Sequence, residues 1–582
     1  MNLSPRWRYQ LILFGIGLLG VVIIFKIISY QTSAQAKVLL NGNDYNLTTI
    51  YPPRGEIYDR YGNLLAGNIT IYEIGVDLNT IRVNKNAETI ALALSVNAGL
   101  DYADEMKKIQ EADPSKNYIV LKDYVPATDA EKAIAYKKTL VDQGIISGSS
   151  SLSGLAFKAH YERYYPEGSL ASNLLGFVTQ DNNGYFGIEQ EYNSLLAGIP
   201  SIVWVPTNPT RAEEIPQVEP GTTLILTIDR EIQSAMEDIL ADTLKESGSA
   251  SGTVIVMNPR NGEILAMTST PSLDPNNYLA YSKVFPESTP FNRAIGQAYE
   301  PGSVLKILTM ATALDTGSVK PTTGFLDTGV IVVGGVPINN WDGGAWGSQD
   351  MLGCIQHSLN VCFAWIATQI GTQNFYAYMQ RFGLGHTTGI DLAGEATGRL
   401  KLPGDSDWYP VDLGTNAFGQ GVSVTPIQMV MAASAIANHG LMVQPHLVYA
   451  TVEKGIQQTI KYQVAGNPIT PQTAQVENEM LATSLEKEAS LALIPGYRVA
   501  GKTGTAQIPV FGGYDPNMTN ASFIGWGPAD DPKFMVYIWL EKPKTSTWSS
   551  EVAAPVFKQI AEKLFVLLDI PPDQVRLQLA GQ

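Results

Sequence analysis

"YEPGSVLKILTM", residues 299–310, is the stretch on which the reading of this chain turns. It sets Ser303 directly after Pro301-Gly302, places Lys306 three residues later, and continues almost wholly apolar. On a helix, positions three apart share a face, so hydroxyl and amine would be neighbours. A serine hydroxyl is a weak nucleophile that needs a base. A lysine amine is a base only when neutral, and burial among residues such as Val304, Leu305, Ile307 and Leu308 favours that form. Ser303 has a second reading as a helix N-cap. The pattern alone does not choose, because "SLEK" (Ser484 to Lys487) repeats it among charged neighbours, as expected of a solvated helix.

Two distant patterns change the weighing. "HSLN" supplies Ser358 and Asn360 between helical segments, and "GKTGT" supplies Lys502, Thr503, Gly504 and Thr505 in a strand-like run. Ser-x-Asn has a decoy upstream, "SVN" at Ser95, whereas Lys-Thr-Gly occurs once. Only one choice puts Ser-x-x-Lys, Ser-x-Asn and Lys-Thr-Gly in that order in one region.

The rest of the chain sets bounds. With 582 residues it is too long for a single core, so at least two domains are expected. The net charge of −16, without a basic cluster, argues against nucleic acid as a partner. Arg6 and Arg8 precede a run that is apolar from Leu11 to Tyr30 except for Lys26, the length of a membrane-spanning helix. The two arginines would keep the N-terminus in the cytoplasm and the remainder outside. The rival is a cleaved signal peptide, with "AQA" at Ala34 to Ala36 as its site, although that site lies far beyond the apolar run. The five histidines (His160, His357, His386, His439, His446) show no metal-ligand spacing, so no metal or other cofactor is expected. His357 adjoins Ser358 but reads as a supporting or surface residue. Cys354 and Cys362, eight residues apart in a stretch read as one helix, are expected to be unpaired small core residues.

The expected organisation is a cytoplasmic tail over 1–10, an anchor over 11–30, a polar linker over 31–48, an upstream domain over 49–245, a second domain over 246–568 and a polar tail over 569–582. "YPPRGEIYDRYGNLLA" (Tyr51 to Ala66) reads as strand, turn, strand, and residues 85–145 read as helical. Asp229 is placed to cap a helix, and Asn261-Gly262 to turn a hairpin. Helical stretches follow from Ser303 to about Leu384, then "YRVAGKTGTAQIP", "ASFIGWGP", "KFMVYIWLEKP" and a closing helix, Glu551 to Leu568. Strands at both ends with helices between predict an α+β fold with one antiparallel sheet covered by helices.

Together with "RGEIYDRYGNLLA", "GIEQEYNSLLAG", "NPRNGEILAM", "GQGVSVTPIQM" and "KTGTAQ", the trio resembles the class B penicillin-binding proteins, monofunctional peptidoglycan transpeptidases. "YEPGSVLK" and "RYYPEGSLASNLLGFV" are more similar to the division or sporulation branch than to the elongation branch. The resemblance implies a membrane anchor, an elongated β-rich pedestal domain and a transpeptidase domain like that of the serine β-lactamases. It implies that Ser303 attacks the penultimate D-Ala carbonyl of a stem peptide, that Lys306 takes its proton, and that Ser358 relays a proton to the leaving D-Ala. Asn360 would orient the substrate amide and the lysine. Lys502, Thr503 and Thr505 would bind the terminal carboxylate, and Gly504 would let the strand approach the peptide. Backbone N–H groups of Ser303 and Thr505 would form the oxyanion hole. The implied partners are stem peptides, β-lactams, the cytoplasmic membrane, a SEDS-family polytopic glycosyltransferase and other division-complex membrane proteins. Many relatives carry Thr at Val304, expected to face away from the chemistry, and a Gly pair where this chain has Ser549 and Ser550. A β-lactam hydrolase or sensor and a non-catalytic division scaffold are the alternatives.

Overall fold

The computed structural model describes residues 5–32, 45–206, 216, 218–488, 490–511 and 513–580. By contacts the chain forms two units. One comprises Met1–Arg54, Asn68–Tyr164 and Ala197–Gly221; the other comprises Gly55–Gly67, Tyr165–Leu196 and Thr222–Gln582. Packing is therefore discontinuous in sequence, whereas composition placed one boundary near residue 245. The reason is pairing: the strand Ile57–Tyr58 lies parallel to Thr223–Leu226 and is drawn into the second unit.

In the first unit, helix α1 (Pro5–Thr32) exposes its apolar side chains, among them Phe14, Leu18, Ile23 and Phe25. Among the described residues no helix is long and apolar enough to cross a membrane; the side chains described in α1 run only from Ile12 to Lys26, with Ser29. Most of the expected linker lies outside the described residues, and its end belongs to β1 (Tyr45–Ile50). Next come β2 (Leu64–Asp77, in this unit from Asn68 onward), α2 (Ala87–Ala98), β3 (Tyr118–Pro126), α3 (Ala127–Asp142), β4 (Leu155–Tyr164) and β5 (Ser201–Pro206). β1 pairs with β5, and β2 pairs with β3 and β4, so this unit mixes sheet and helix around Ile74, Val76, Ile90, Leu94 and Leu121. The helical reading of 85–145 misses β3. There the β-rich run Tyr118-Ile119-Val120 finds a partner strand in β2, and that pairing overrides the helical propensity around it.

In the second unit, α4 (Arg230–Ser247) follows the strand Thr223–Leu226, and its first turn is capped by Asp229, which accepts from the N–H groups of Glu231 and Ile232. β6 (Ser251–Met257) and β7 (Ile264–Ser269) form the expected hairpin, with Gly262 at φ +81°. Helices α5 (Lys306–Asp315), α6 (Met351–Gln356), α7 (Asn360–Ile370), α8 (Pro426–Ala437) and α9 (Pro471–Glu488) follow. Then come β8 (Ala500–Val510), β9 (Gly513–Gly527), β10 (Phe534–Glu541) and α10 (Ala554–Leu567). The sheet is antiparallel in the order β7-β6-β10-β9-β8, so the two ends of the unit meet at its centre and β8 is an edge. Successive residues of a strand face opposite sides. Val254, Val256, Val536 and Ile538 thus pack with Met236, Leu240, Phe557 and Ile560 of α4 and α10. Ile255, Met257, Tyr537 and Trp539 pack on the other side with Leu305, Leu308 and Phe363. Helices on both faces explain why "FMVYIWL" is continuously apolar and fully buried.

Three sequence readings change here. Short strands (Phe325–Asp327, Val330–Val333, Val336–Asn339, Gly347–Gln349) interrupt the expected helical stretch after Ser303. The expected polar tail carries a helix, Asp573–Ala580, pinned by Arg576 to Asp530 and Asp573. Cys354 and Cys362, expected to be unpaired, are disulfide-bonded and fully buried. One continuous helix would have turned them apart. Instead α6 stops at Gln356, α7 starts at Asn360, and Ser358 between them adopts φ +53°.

Candidate active site

Ser303 sits in a 3₁₀ turn, Gly302–Leu305, that runs directly into α5. In such a turn residues three apart eclipse, which stacks Ser303 and Lys306 on one face. Neither helical boundary carries a side-chain cap, so the N-cap reading of Ser303 has no support. Ser303 is half-buried, while Lys306 is 1% exposed.

Three glycines let this turn nest against β8. Gly302 holds φ +59° and donates its N–H to the Gly419 carbonyl at 3.1 Å. A Cβ on Gly419 would lie 2.1 Å from the Gly302 carbonyl oxygen. A Cβ on Gly302 would lie 3.0 Å from the Ala506 Cβ and 3.1 Å from the Thr505 carbonyl oxygen. A Cβ on Gly504 would lie 2.4 Å from Ser522 Oγ, 2.8 Å from Val304 Cγ1 and 3.1 Å from the Pro301 carbonyl oxygen. Gly504 is thus crowded by Ser522 of the neighbouring strand and by the serine's own turn. Val304, expected to face away, is fully buried against Gly504.

Lys306 brings the second motif in. Its Nζ lies 2.6 Å from the Ser358 carbonyl oxygen, 3.1 Å from Ser358 Oγ and 2.8 Å from Asn360 Oδ1, with the rings of Phe363 and Phe418 at 5.3 and 5.9 Å. Burial, then the charge of Lys502, holds its pKa well below the ordinary lysine range. A carbonyl and an amide oxygen only accept, so they take both protons of a neutral amine. In that form the lone pair is left on the side of the remaining partner, Ser358 Oγ.

The third motif lies on β8. Lys502 is buried, and its Nζ donates to the Thr503 carbonyl oxygen at 3.2 Å and to Thr503 Oγ1 at 3.3 Å. Thr505 Oγ1 lies 2.9 Å from Ser549 Oγ. The decoys stay apart. Ser95 is in the other unit, and Ser484, expected to be solvated, is buried in α9 while Lys487 is exposed. His357 stacks on Trp346 with ring centroids 4.4 Å apart, and its carbonyl accepts from Trp341 Nε1 at 3.1 Å. Sequence reasoning missed Phe363 and Phe418, since nothing in their spacing ties them to the motifs, and noted Ser549 only as a departure from many relatives. Among the described residues no group of His, Cys, Asp or Glu is arranged to hold a metal ion.

Residues 252–562 match the penicillin binding protein transpeptidase domain, and residues 49–224 match the penicillin-binding protein dimerisation domain. The chain is 33% identical to stage V sporulation protein D of Bacillus subtilis, covering 90% of this chain and 80% of that one. It is 27% identical to peptidoglycan D,D-transpeptidase FtsI of Escherichia coli, covering 97% and 93%. Among solved structures it shares the fold of penicillin binding protein 2X from Streptococcus thermophilus (24% identity, TM-score 0.76, covering 90% and 80%). It also shares that of penicillin binding protein 3 from Mycobacterium tuberculosis complexed with aztreonam (24% identity, TM-score 0.68, covering 90% and 98%).

Proposed function

Because the chain belongs to the penicillin-binding protein transpeptidase family, and so to the peptidoglycan D,D-transpeptidases, we propose that Ser303 is its acylated nucleophile. Neutral Lys306 takes the Ser303 proton as the hydroxyl oxygen bonds the penultimate D-Ala carbonyl carbon. The backbone N–H groups of Ser303 and Thr505 hold the resulting oxyanion. Collapse breaks the peptide bond, and Ser358 passes the proton to the departing D-Ala amine. An amine of a second stem peptide then attacks the ester, forming the cross-link and regenerating Ser303. Asn360 fixes the lysine and the substrate amide, and Lys502, Thr503 and Thr505 bind the terminal carboxylate, with Gly504 keeping their strand against the turn. β-Lactams acylate the same serine. Residues 246–568 carry this chemistry. The observation that carries the reading is the contact of Lys306 Nζ with Ser358 and Asn360 on a turn nested against the Lys-Thr-Gly strand.

The same reading places the catalytic unit outside the cytoplasmic membrane, tethered by the apolar run from Leu11 to Tyr30. Similarity to a sporulation protein and to FtsI supports a role in septal wall synthesis beside a SEDS-family glycosyltransferase. A labelled penicillin tests the core of it. Persistent labelling that disappears in Ser303→Ala and survives in Ser484→Ala is expected. Rapid turnover of the label would mean hydrolysis instead, and an unlabelled wild-type protein would leave only a scaffold.

A further inference from the structure

Ser549 is fully buried, and its hydroxyl reaches the Lys-Thr-Gly strand. We infer that Ser549 is a positioning residue for acyl transfer: it locks the Gly504–Thr505 peptide so that the Thr505 N–H faces the nucleophile, and it holds the Thr505 hydroxyl.

Four contacts make the lock. Ser549 Oγ donates to the Gly504 carbonyl oxygen at 2.5 Å and lies 2.9 Å from Thr505 Oγ1. The Ser549 N–H donates to Thr505 Oγ1 at 3.1 Å, and the Ser522 N–H donates to Ser549 Oγ at 3.3 Å. Ser522 Oγ adds a second donor to the Gly504 carbonyl at 3.1 Å. The Gly504 carbonyl is thus turned inward onto two hydroxyls. A trans peptide points its C=O and the following N–H in opposite directions, so the Thr505 N–H points to the outer edge of β8. The Gly302–Leu305 turn lies on that side, since a Cβ on Gly302 would approach the Thr505 carbonyl to 3.1 Å. Among the described residues β8 is an edge strand, with no strand paired on its outer side. On the inner side, where Gly504 pairs with Ser522 of β9, the two serine hydroxyls add to the hold of that pairing on the Gly504 carbonyl.

The hydroxyl of Thr505 is constrained by the same residue. Its oxygen accepts the Ser549 N–H. Ser549 Oγ spends its own proton on Gly504 and accepts the Ser522 N–H, which leaves one lone pair for the Thr505 proton. The Thr505 proton therefore rests on Ser549 until an arriving carboxylate, a stronger acceptor, takes it. A glycine at 549 supplies the N–H but neither the parking site nor the carbonyl clamp.

This inference rests on the proposed roles of Ser303 and Thr505. The test is acylation by a fluorescent penicillin, resolved into non-covalent affinity and acylation rate, for wild type, Ser549→Ala, Ser549→Gly, Ser522→Ala, Thr505→Val and the Ser549→Ala/Thr505→Val double variant. Ser549→Ala and Ser549→Gly should slow the acylation rate about tenfold, less than outright removal of an oxyanion donor, at a temperature well below a melting point that the lost buried hydrogen bonds lower only modestly. Ser522→Ala should shift it in the same direction by less, and it carries the test if the Ser549 variants do not fold. The loss from Ser549→Ala should shrink in the Thr505→Val background, because coupled groups are not additive. Acylation within twofold of wild type, or additive losses, overturns the positioning role. Failure of the parent reading looks different: Ser303→Ala would keep its label.

Discussion

Lys306 Nζ lies 2.6 Å from the carbonyl oxygen of Ser358, a residue whose backbone is left-handed at φ +53°. That conformation is uncommon for a serine and is kept only where surroundings impose it. It turns the carbonyl toward the amine and helps orient the lone pair.

The lysine fixes a pH dependence. Its folded pKa is depressed by burial, so acylation should fall as pH drops through that value and the amine is charged. Stability follows the same linkage. Between the depressed folded value and the ordinary 10.5, the unfolded chain binds a proton that the folded chain does not, so stability rises with pH across that window. Denaturant melts as a function of pH should show this slope in wild type and lose it in Lys306→Met.

Asn360 accepts from Lys306 at 2.8 Å. Asn360→Asp places a carboxylate there, which favours the charged amine. Acylation at neutral pH should fall about 10- to 100-fold, as expected for a disabled general base. The acid limb of the pH–rate profile should move to higher pH; an unmoved limb would exclude Lys306 as the titrating group.

Gly419→Ala should be severe, because its Cβ would meet the Gly302 carbonyl at 2.1 Å and Gly419 itself sits at φ +86°. The serine turn must shift or the fold must strain, costing about 1–3 kcal/mol. Acylation should be lost out of proportion to the fall in melting temperature. Gly455→Ala, at φ +77° with open space around it, should cost stability without affecting acylation.

The disulfide brackets the Ser358 loop. A Cys354→Ala/Cys362→Ala variant should lose about 2 kcal/mol, the scale for releasing a short loop closure. Chemical denaturation measures the loss, and acylation should slow as Ser358 and Asn360 loosen.

Glu477, in α9, is fully buried, and burial raises its carboxyl pKa well above 4.5, against a smaller opposing effect of the Ala311 backbone. Above pH 4.5 the unfolded chain releases a proton that the folded chain keeps, so this group lowers stability as pH rises. Glu477→Gln should stabilise the fold at neutral pH by about 1–3 kcal/mol and flatten that slope; equal stability at pH 7 would argue against a protonated Glu477.

Legibility followed the range of the interactions. Local signals held: Asp229 caps a helix, Asn261-Gly262 turns a hairpin, and three terminal strand runs are strands. Readings failed where a distant partner decided. β3 is a strand because β2 lies beside it, and the cysteines pair because the chain breaks at Ser358.

The sequence by itself determined which residues could do the chemistry, since hydroxyl, amine and amide groups are chosen by side chain and their order is written in the chain. It also determined the two-sided burial of the central strands, because continuous apolar runs have nowhere else to go. Only the tertiary structure decided that Lys306 is buried, which favours its neutral form, that Gly504 makes room for the Ser303 turn, and that Ser549 touches Thr505. Each of these depends on atoms tens to hundreds of residues apart, and desolvation and close approach are properties of that assembled neighbourhood, not of any local stretch.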